Sequence, residues 1–212
     1  MISSYRYIAI EGNIGAGKTS LATLIAEEYN AKLILEQFED NSFLPKFYKE
    51  PDKYAFPLEM SFLASRFQQL KDELGNQDLF KSFTISDYFI IKSLIFAKKT
   101  LAEDEYGLYT RFFNIVLNQL PKPELLVYLH VDTPKLQENI KKRGRSYEQE
   151  IKDEYLEKIS DGYFEFIKQQ TSLPIVIVDT NNIDFVHNKD DYQKMISIIN
   201  KEYSPGIYRV IP

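Results

Sequence analysis

Residues Gly12 to Thr19 read GNIGAGKT and match G-x-x-x-x-G-K-[ST]. Glycines at 12, 15 and 17 open backbone conformations closed to residues with a Cβ, so several N–H groups can converge on one anion. Asn13, Ile14 and Ala16 supply further N–H groups to the same turn. A helix opening near Lys18 adds its positive dipole end, Lys18 adds a point charge, and Thr19 offers a hydroxyl to Mg²⁺. Residue types at this spacing hold a nucleoside triphosphate.

Three acids fall where strands should end. Glu36 can take the proton of an attacking hydroxyl, or cap the turn that follows it. Asp87 can bind Mg²⁺ or its water shell, or cap the helix expected from Tyr88. Asp179 reads chiefly as a shaper of the loop Thr180-Asn181-Asn182. Arg143-Gly144-Arg145 places two guanidiniums on a glycine turn, which suits a lid of about 142–150 closing over phosphates. The same cations would also suit a helix C-terminus with no ligand. His130 and His187 have no partner at metal-ligand spacing. Asn188-Lys189-Asp190-Asp191 and Asp104-Glu105-Tyr106-Gly107 imitate GTPase motifs, but neither leaves the end of a strand, so both read as accidental.

The elements needed to position these groups are legible. Apolar runs at Tyr5–Ile10, Lys32–Leu35, Phe83–Ser86, Leu125–His130 and Pro174–Val178 read as buried strands. Helical stretches separate them, over Ala55–Leu74, Tyr88–Lys98, Glu103–Leu120, Ile151–Gln170 and Lys189–Asn200. The alternation predicts an α/β fold, a five-stranded parallel sheet covered by helices on both faces. Ligands then bind at the carboxyl ends of the strands, and the first two strands are expected to be near neighbours. The 212 residues suit one domain, with a net charge of −5 that argues against nucleic acid. There is no cysteine, hence no disulfide or thiolate chemistry. No apolar run approaches a membrane span, and the Met1-Ile2-Ser3-Ser4 start enters the first strand at once, so a cytoplasmic protein without a leader is expected.

An ordered set of residues resembles the deoxynucleoside kinases, closest to the bacterial purine type. It comprises the phosphate loop, Glu36, Tyr48-x-x-Pro51-x-x-x-x-Phe56-x-x-Glu59, Ser65-Arg66, Ser86-Asp87-Tyr88 with Ile95-Phe96-Ala97, Arg143-Gly144-Arg145, and Glu148 with Tyr155-Leu156-Glu157. The resemblance covers nearly the whole chain and implies a P-loop kinase fold using ATP and Mg²⁺. It implies that Glu36 accepts the sugar 5′-hydroxyl proton, that Tyr48 and Glu148 bind the 3′-hydroxyl, and that Arg66 reaches the base. Arg143 and Arg145 match lid arginines on the donor phosphates, and Asp179 begins the loop over the donor's base. A homodimer through long helices, 55–74 and 88–120, is implied as well. Two departures matter. Ser86-Asp87-Tyr88 stands where many members have Asp/Glu-Arg-Ser, and Lys92 stands where pyrimidine-type relatives have Asp.

Glu59 bears on which base is read. An ionised carboxylate only accepts hydrogen bonds, and guanine offers two adjacent donors, N1–H and the 2-amino group. Its O6 and N7 acceptors suit Arg66 and Lys92. The expectation is deoxyguanosine ahead of deoxyadenosine, with protonation of Glu59 or a bridging water admitting adenine. The alternative, a nucleoside-monophosphate kinase, is opposed by the acidic segment Glu36, Glu39, Asp40.

Overall fold

The computed structural model describes residues 5–37, 41–76, 78–145 and 148–212, and within these not the Tyr48 side chain. Glu39 and Asp40 therefore lie outside the described residues. The chain runs β1 (Tyr7–Gly12), α1 (Lys18–Tyr29), β2 (Lys32–Ile34), α2 (Leu44–Lys49), α3 (Pro51–Gly75), β3 (Thr84–Ser86), α4 (Ile91–Thr100) and α5 (Glu103–Leu117). It continues through β4 (Leu125–His130), α6 (Thr133–Arg143), α7 (Asp153–Lys168), β5 (Pro174–Asp179), α8 (Lys189–Ile199) and β6 (Gly206–Val210).

The strands form one parallel sheet in the order β2-β3-β1-β4-β5-β6. Two expectations are corrected here. The sheet has six strands, because β6 joins the β5 edge with Ile175 opposite Ile207. Its residues alternate between half-buried and exposed, so it lacks the continuous apolar run of a central strand. In addition, β1 and β2 are not neighbours: β3 lies between them, with Ser86 aligned to Ala9 on one side and Ile34 on the other.

Alternate residues of β1 feed the two faces, as the period of a strand requires. Ile8 and Ile10 pack with Leu21 and Ile25 of α1, Ile140 of α6 and Met195 of α8. Tyr7 and Ala9 face Leu63 of α3, Ile95 of α4, Phe113 of α5 and Tyr163 of α7. Helix α3 starts at Pro51 rather than Ala55, since proline at the first helical position loses no hydrogen bond. Helix α4 starts at Ile91 rather than Tyr88. The preceding turn is held by Ser86 Oγ, which donates to the Tyr88 carbonyl at 2.7 Å, and by the Phe89 N–H, which donates to Glu11 Oε1 at 2.7 Å.

Candidate active site

The turn between β1 and α1 is fixed by two helices. Gly15 has φ +83°, and a Cβ there would sit 2.9 Å from the Leu136 carbonyl oxygen of α6. Asn139 Nδ2 of the same helix donates to the Gly15 carbonyl at 2.9 Å. Asn13 Nδ2 donates to the Leu156 carbonyl at 2.7 Å and to Ser160 Oγ at 2.8 Å, tying the turn to α7. Its Oδ1 accepts the Ile14 N–H at 2.8 Å. The side chain of Asn13 thus works as scaffold. Lys18 Nζ donates to the Asn13 carbonyl at 2.8 Å, folding its charge over the loop. Burial, then the nearby Lys92 charge, lowers the Lys18 pKa to about 8.

The position of β3 between β1 and β2 gives the site its centre. Asp87 leaves β3 beside both neighbours. Its Oδ2 accepts the Thr19 hydroxyl at 2.6 Å, and its Oδ1 accepts the Glu36 N–H at 2.8 Å. Asp87 therefore reaches the phosphate loop and the segment after β2 at once, and it does not act as the cap of α4, whose first turn begins beyond it. Thr19 and Asp87 are hard oxygen donors at the start of α1. This pair fits Mg²⁺, which takes one or two protein oxygens and completes its shell with water and phosphate. Among the described residues no group of three or more His, Cys, Asp or Glu side chains could hold a metal by itself.

Glu36 is clamped by cations. Its Oε1 accepts Arg66 Nε at 2.9 Å and Nη2 at 2.7 Å, while Oε2 accepts Lys92 Nζ at 2.5 Å. Arg66 Nη1 continues to Ser93 Oγ at 2.8 Å. Burial opposes the charge on Glu36, but Lys92 and then Arg66 override it and hold the carboxyl well below the usual range. Both cations, which were expected to reach the base, are placed on Glu36.

Glu59 on α3 is buried. Its Oε1 accepts the Thr100 hydroxyl at 2.9 Å, and Oε2 has no hydrogen-bond partner. Burial raises its pKa to about 7, against the smaller opposing pulls of Arg66 and Thr100. Near neutral pH Glu59 therefore samples both the carboxylate expected to suit guanine and the protonated form expected to admit adenine.

Glu148, also buried, takes both Arg143 and Arg145. Arg143 donates through Nε at 3.0 Å and through Nη2 to Oε2, and Arg145 Nη1 lies 3.5 Å from Oε1. Helix α6 ends at Arg143 because Gly144 turns left-handed with φ +75°. A cleft of about 1450 Å³ is lined by Lys18 and Thr19, by Glu36, Asp87 and Lys92, by Glu59 and Arg66, and by Arg143, Arg145 and Glu148. Tyr48 falls in α2, and its side chain lies outside the described residues.

Other residues have structural tasks. Asp179 Oδ1 accepts the Asn181 N–H at 3.1 Å and Nδ2 at 2.9 Å, shaping the loop after β5 as expected. Asn188 caps α8 by accepting from the Asp190 and Asp191 N–H groups, and Asp104 lies in the first turn of α5. Neither GTPase-like motif lines the cleft. His187 meets Asp184 of its own loop, at 3.1 Å.

The sequence reading passed over Glu11. This fully buried acid in β1 accepts the Phe89 N–H and, at 2.8 Å, the Tyr163 hydroxyl. Burial raises its pKa, with Lys92 and Lys18 pulling against it. An acid inside an apolar strand was the available signal, since such a charge survives only when paired and hydrogen-bonded.

The family model for deoxynucleoside kinases matches residues 8–203. The chain is 37% identical to a deoxyguanosine kinase of Bacillus subtilis over 92% of its own length and 96% of that protein's. It is 34% identical to a deoxyadenosine kinase of Dictyostelium discoideum, covering 93% of this chain and 79% of the relative. The structure of deoxyadenosine kinase from M. mycoides with bound dATP superposes with a TM-score of 0.77 at 30% identity, covering 92% of this chain and all of that one.

Proposed function

The chain belongs to the deoxynucleoside kinase family, and on that premise we propose that it moves the γ-phosphoryl of ATP to the 5′-hydroxyl of a purine 2′-deoxynucleoside, deoxyguanosine ahead of deoxyadenosine. One observation carries the reading. Asp87 bonds the Thr19 hydroxyl on one oxygen and the Glu36 amide on the other, so Glu36 is tied to the phosphate loop through a single carboxylate.

Glu36 accepts the 5′-hydroxyl proton as that oxygen attacks in line. The N–H groups from about Asn13 to Thr19, with Lys18, hold the triphosphate. Thr19 and Asp87 hold Mg²⁺, which when bound neutralises charge on the phosphates. Arg143 and Arg145, on a lid of about 142–150, close over the departing bond, while the loop from Asp179 lies along the donor's base. Tyr48 and Glu148 take the 3′-hydroxyl, and Glu59 with Arg66 forms the base pocket. Most of the rate arises from positioning and charge stabilisation. We place the enzyme in the cytoplasm, in nucleotide salvage; among the described residues no helix is long and apolar enough to cross a membrane. One domain carries the whole site. A homodimer is supported by the exposed apolar stripe Leu108, Phe112 and Ile115 on α5, within the helical region 88–120.

The test is ADP formation with ATP against a panel of deoxynucleosides and their monophosphates, with Glu36→Gln beside the parent. Turnover with deoxyguanosine and a loss of ~10²-fold or more in the variant is expected. Turnover only with a monophosphate acceptor, or an unaffected variant, overturns the reading.

A further inference from the structure

The two oxygens of Glu36 are not equivalent. A carboxylate oxygen offers about two acceptor positions, and Arg66 fills both on Oε1 with Nε and Nη2. Oε2 carries Lys92 Nζ at 2.5 Å and retains one position. An alcohol handing its proton to Glu36 must therefore arrive at Oε2, and its oxygen then lies beside the Lys92 ammonium.

Lys92 is also well placed toward the donor. It is buried in the wall of the cleft that Lys18 and Thr19 line. Its charge bears on both Lys18 and Glu11, and it stands on α4, directly after the turn that Asp87 opens. An ammonium has three N–H donors on a flexible stem. One can stay on Glu36 while the others turn to an anion arriving at the phosphate loop.

We propose that Lys92 is a catalytic residue, whose ammonium contacts the γ-phosphoryl oxygens as that group passes to the 5′-oxygen. This rests on Glu36 as the base. In the step the 5′-oxygen forms a bond to the γ-phosphorus, and the bond from that phosphorus to the β–γ bridging oxygen breaks, its electron pair leaving with ADP. The hydroxyl proton goes to Glu36 Oε2. Lys92 keeps its protons throughout and stabilises the charge spread over the transferring oxygens. It thereby serves the sugar and phosphate end of the cleft, not the base.

Steady-state kinetics of Lys92→Met and Lys92→Arg, with ATP and deoxyguanosine both varied and Glu36→Gln run alongside, decide the matter. Lys92→Met should lose ~10²-fold in kcat with either KM changed by less than about threefold, and Lys92→Arg should recover at least about tenfold of it. A purely structural lysine gives another result: KM for deoxyguanosine rises and kcat returns at saturation, which overturns the proposal. So does a kcat within about threefold of the parent. If Lys92→Met lacks a cooperative melt, Lys92→Gln, which keeps a donor but no charge, is measured against the same limits. A slow Glu36→Gln with a fast Lys92→Met removes this inference alone, whereas a fast Glu36→Gln removes the proposed base as well.

Discussion

The Phe185 ring rests on Gly17 so closely that a Cβ at position 17 would lie 2.8 Å from Cζ of the ring. Phe185 belongs to the loop after β5, so that loop is seated on the phosphate turn. Gly17 also has φ +88°, a conformation that other residues adopt at a cost of about 1–3 kcal/mol. Gly17→Ala combines this strain with a displaced aromatic ring. Stability should fall by roughly 2–5 kcal/mol, and the KM for ATP should rise as the turn opens. A thermal melt and an ATP titration check both; an unchanged melting temperature would show that neither the backbone conformation nor the ring contact limits stability.

The bond from Thr19 to Asp87 predicts a metal phenotype distinct from a loss of base. Asp87→Asn keeps an acceptor for the Glu36 N–H but takes one charge and one hard oxygen from the pair. Thr19→Val removes the hydroxyl. Each should raise the Mg²⁺ concentration for half-maximal turnover by ~10-fold or more, with a smaller effect on deoxynucleoside KM. Mg²⁺ titration of turnover measures it, and identical curves for parent and variants would remove Asp87 and Thr19 as ligands.

What the sequence reveals and what it hides follow from range. The phosphate loop is a local object: the order strand, glycine turn, lysine, helix specifies its own geometry, so Gly12 to Thr19 are placed as expected. The four interior strands, β3, β1, β4 and β5, are legible because burial on both faces demands continuous apolar runs, and the edge strand β2 shows as a shorter run. Strand order is set by how helices pack across the sheet, and nothing near Asp87 announces that β3 separates β1 from β2. That arrangement, a non-local fact, is what joins Asp87 to both Thr19 and Glu36. The pairing of Arg66 and Lys92 on Glu36 is hidden for the same reason, since the three residues come from α3, α4 and the segment after β2. Strand β6 escaped because Arg209 interrupts its short apolar run, as a half-exposed strand at the sheet edge allows.

Glu59 predicts that base choice depends on pH. Its pKa is raised to about 7, first by burial. Below that value the group is a neutral acid, with one donor and one acceptor to offer the amino group and ring nitrogen of adenine. Above it the carboxylate accepts twice, matching N1–H and the 2-amino group of guanine. The kcat/KM ratio of deoxyguanosine to deoxyadenosine should therefore rise between pH 6 and 8, by up to ~10-fold. Glu59→Gln, which does not titrate, should give a flat ratio. A flat ratio in the parent enzyme would mean that Glu59 holds one protonation state when a base is bound.

Glu148 predicts a link between the sugar and the lid. It is 7% exposed; Arg143 fills Oε2 with two donors while Oε1 carries, among the described residues, only Arg145 Nη1 at 3.5 Å, so a group that hydrogen-bonds the carboxylate arrives at Oε1 and weakens the longer contact to Arg145. In the proposed complex that group is the 3′-hydroxyl, and the loosened arginine becomes available to the donor's phosphates. Removing the 3′-hydroxyl from the substrate should thus harm the parent enzyme twice, in affinity and in lid closure. A charge-assisted hydrogen bond is worth about 1.5–3 kcal/mol, so 2′,3′-dideoxyguanosine should lose ~10- to 100-fold in kcat/KM against deoxyguanosine. In Glu148→Gln the charge that holds the arginines is gone. The variant should handle deoxyguanosine poorly, hydrolyse ATP faster without an acceptor, and discriminate between the two nucleosides by less than about threefold. If the variant keeps the full penalty against the dideoxynucleoside, the 3′-hydroxyl is read elsewhere, and the contact between Glu148 and the arginines belongs to the lid alone.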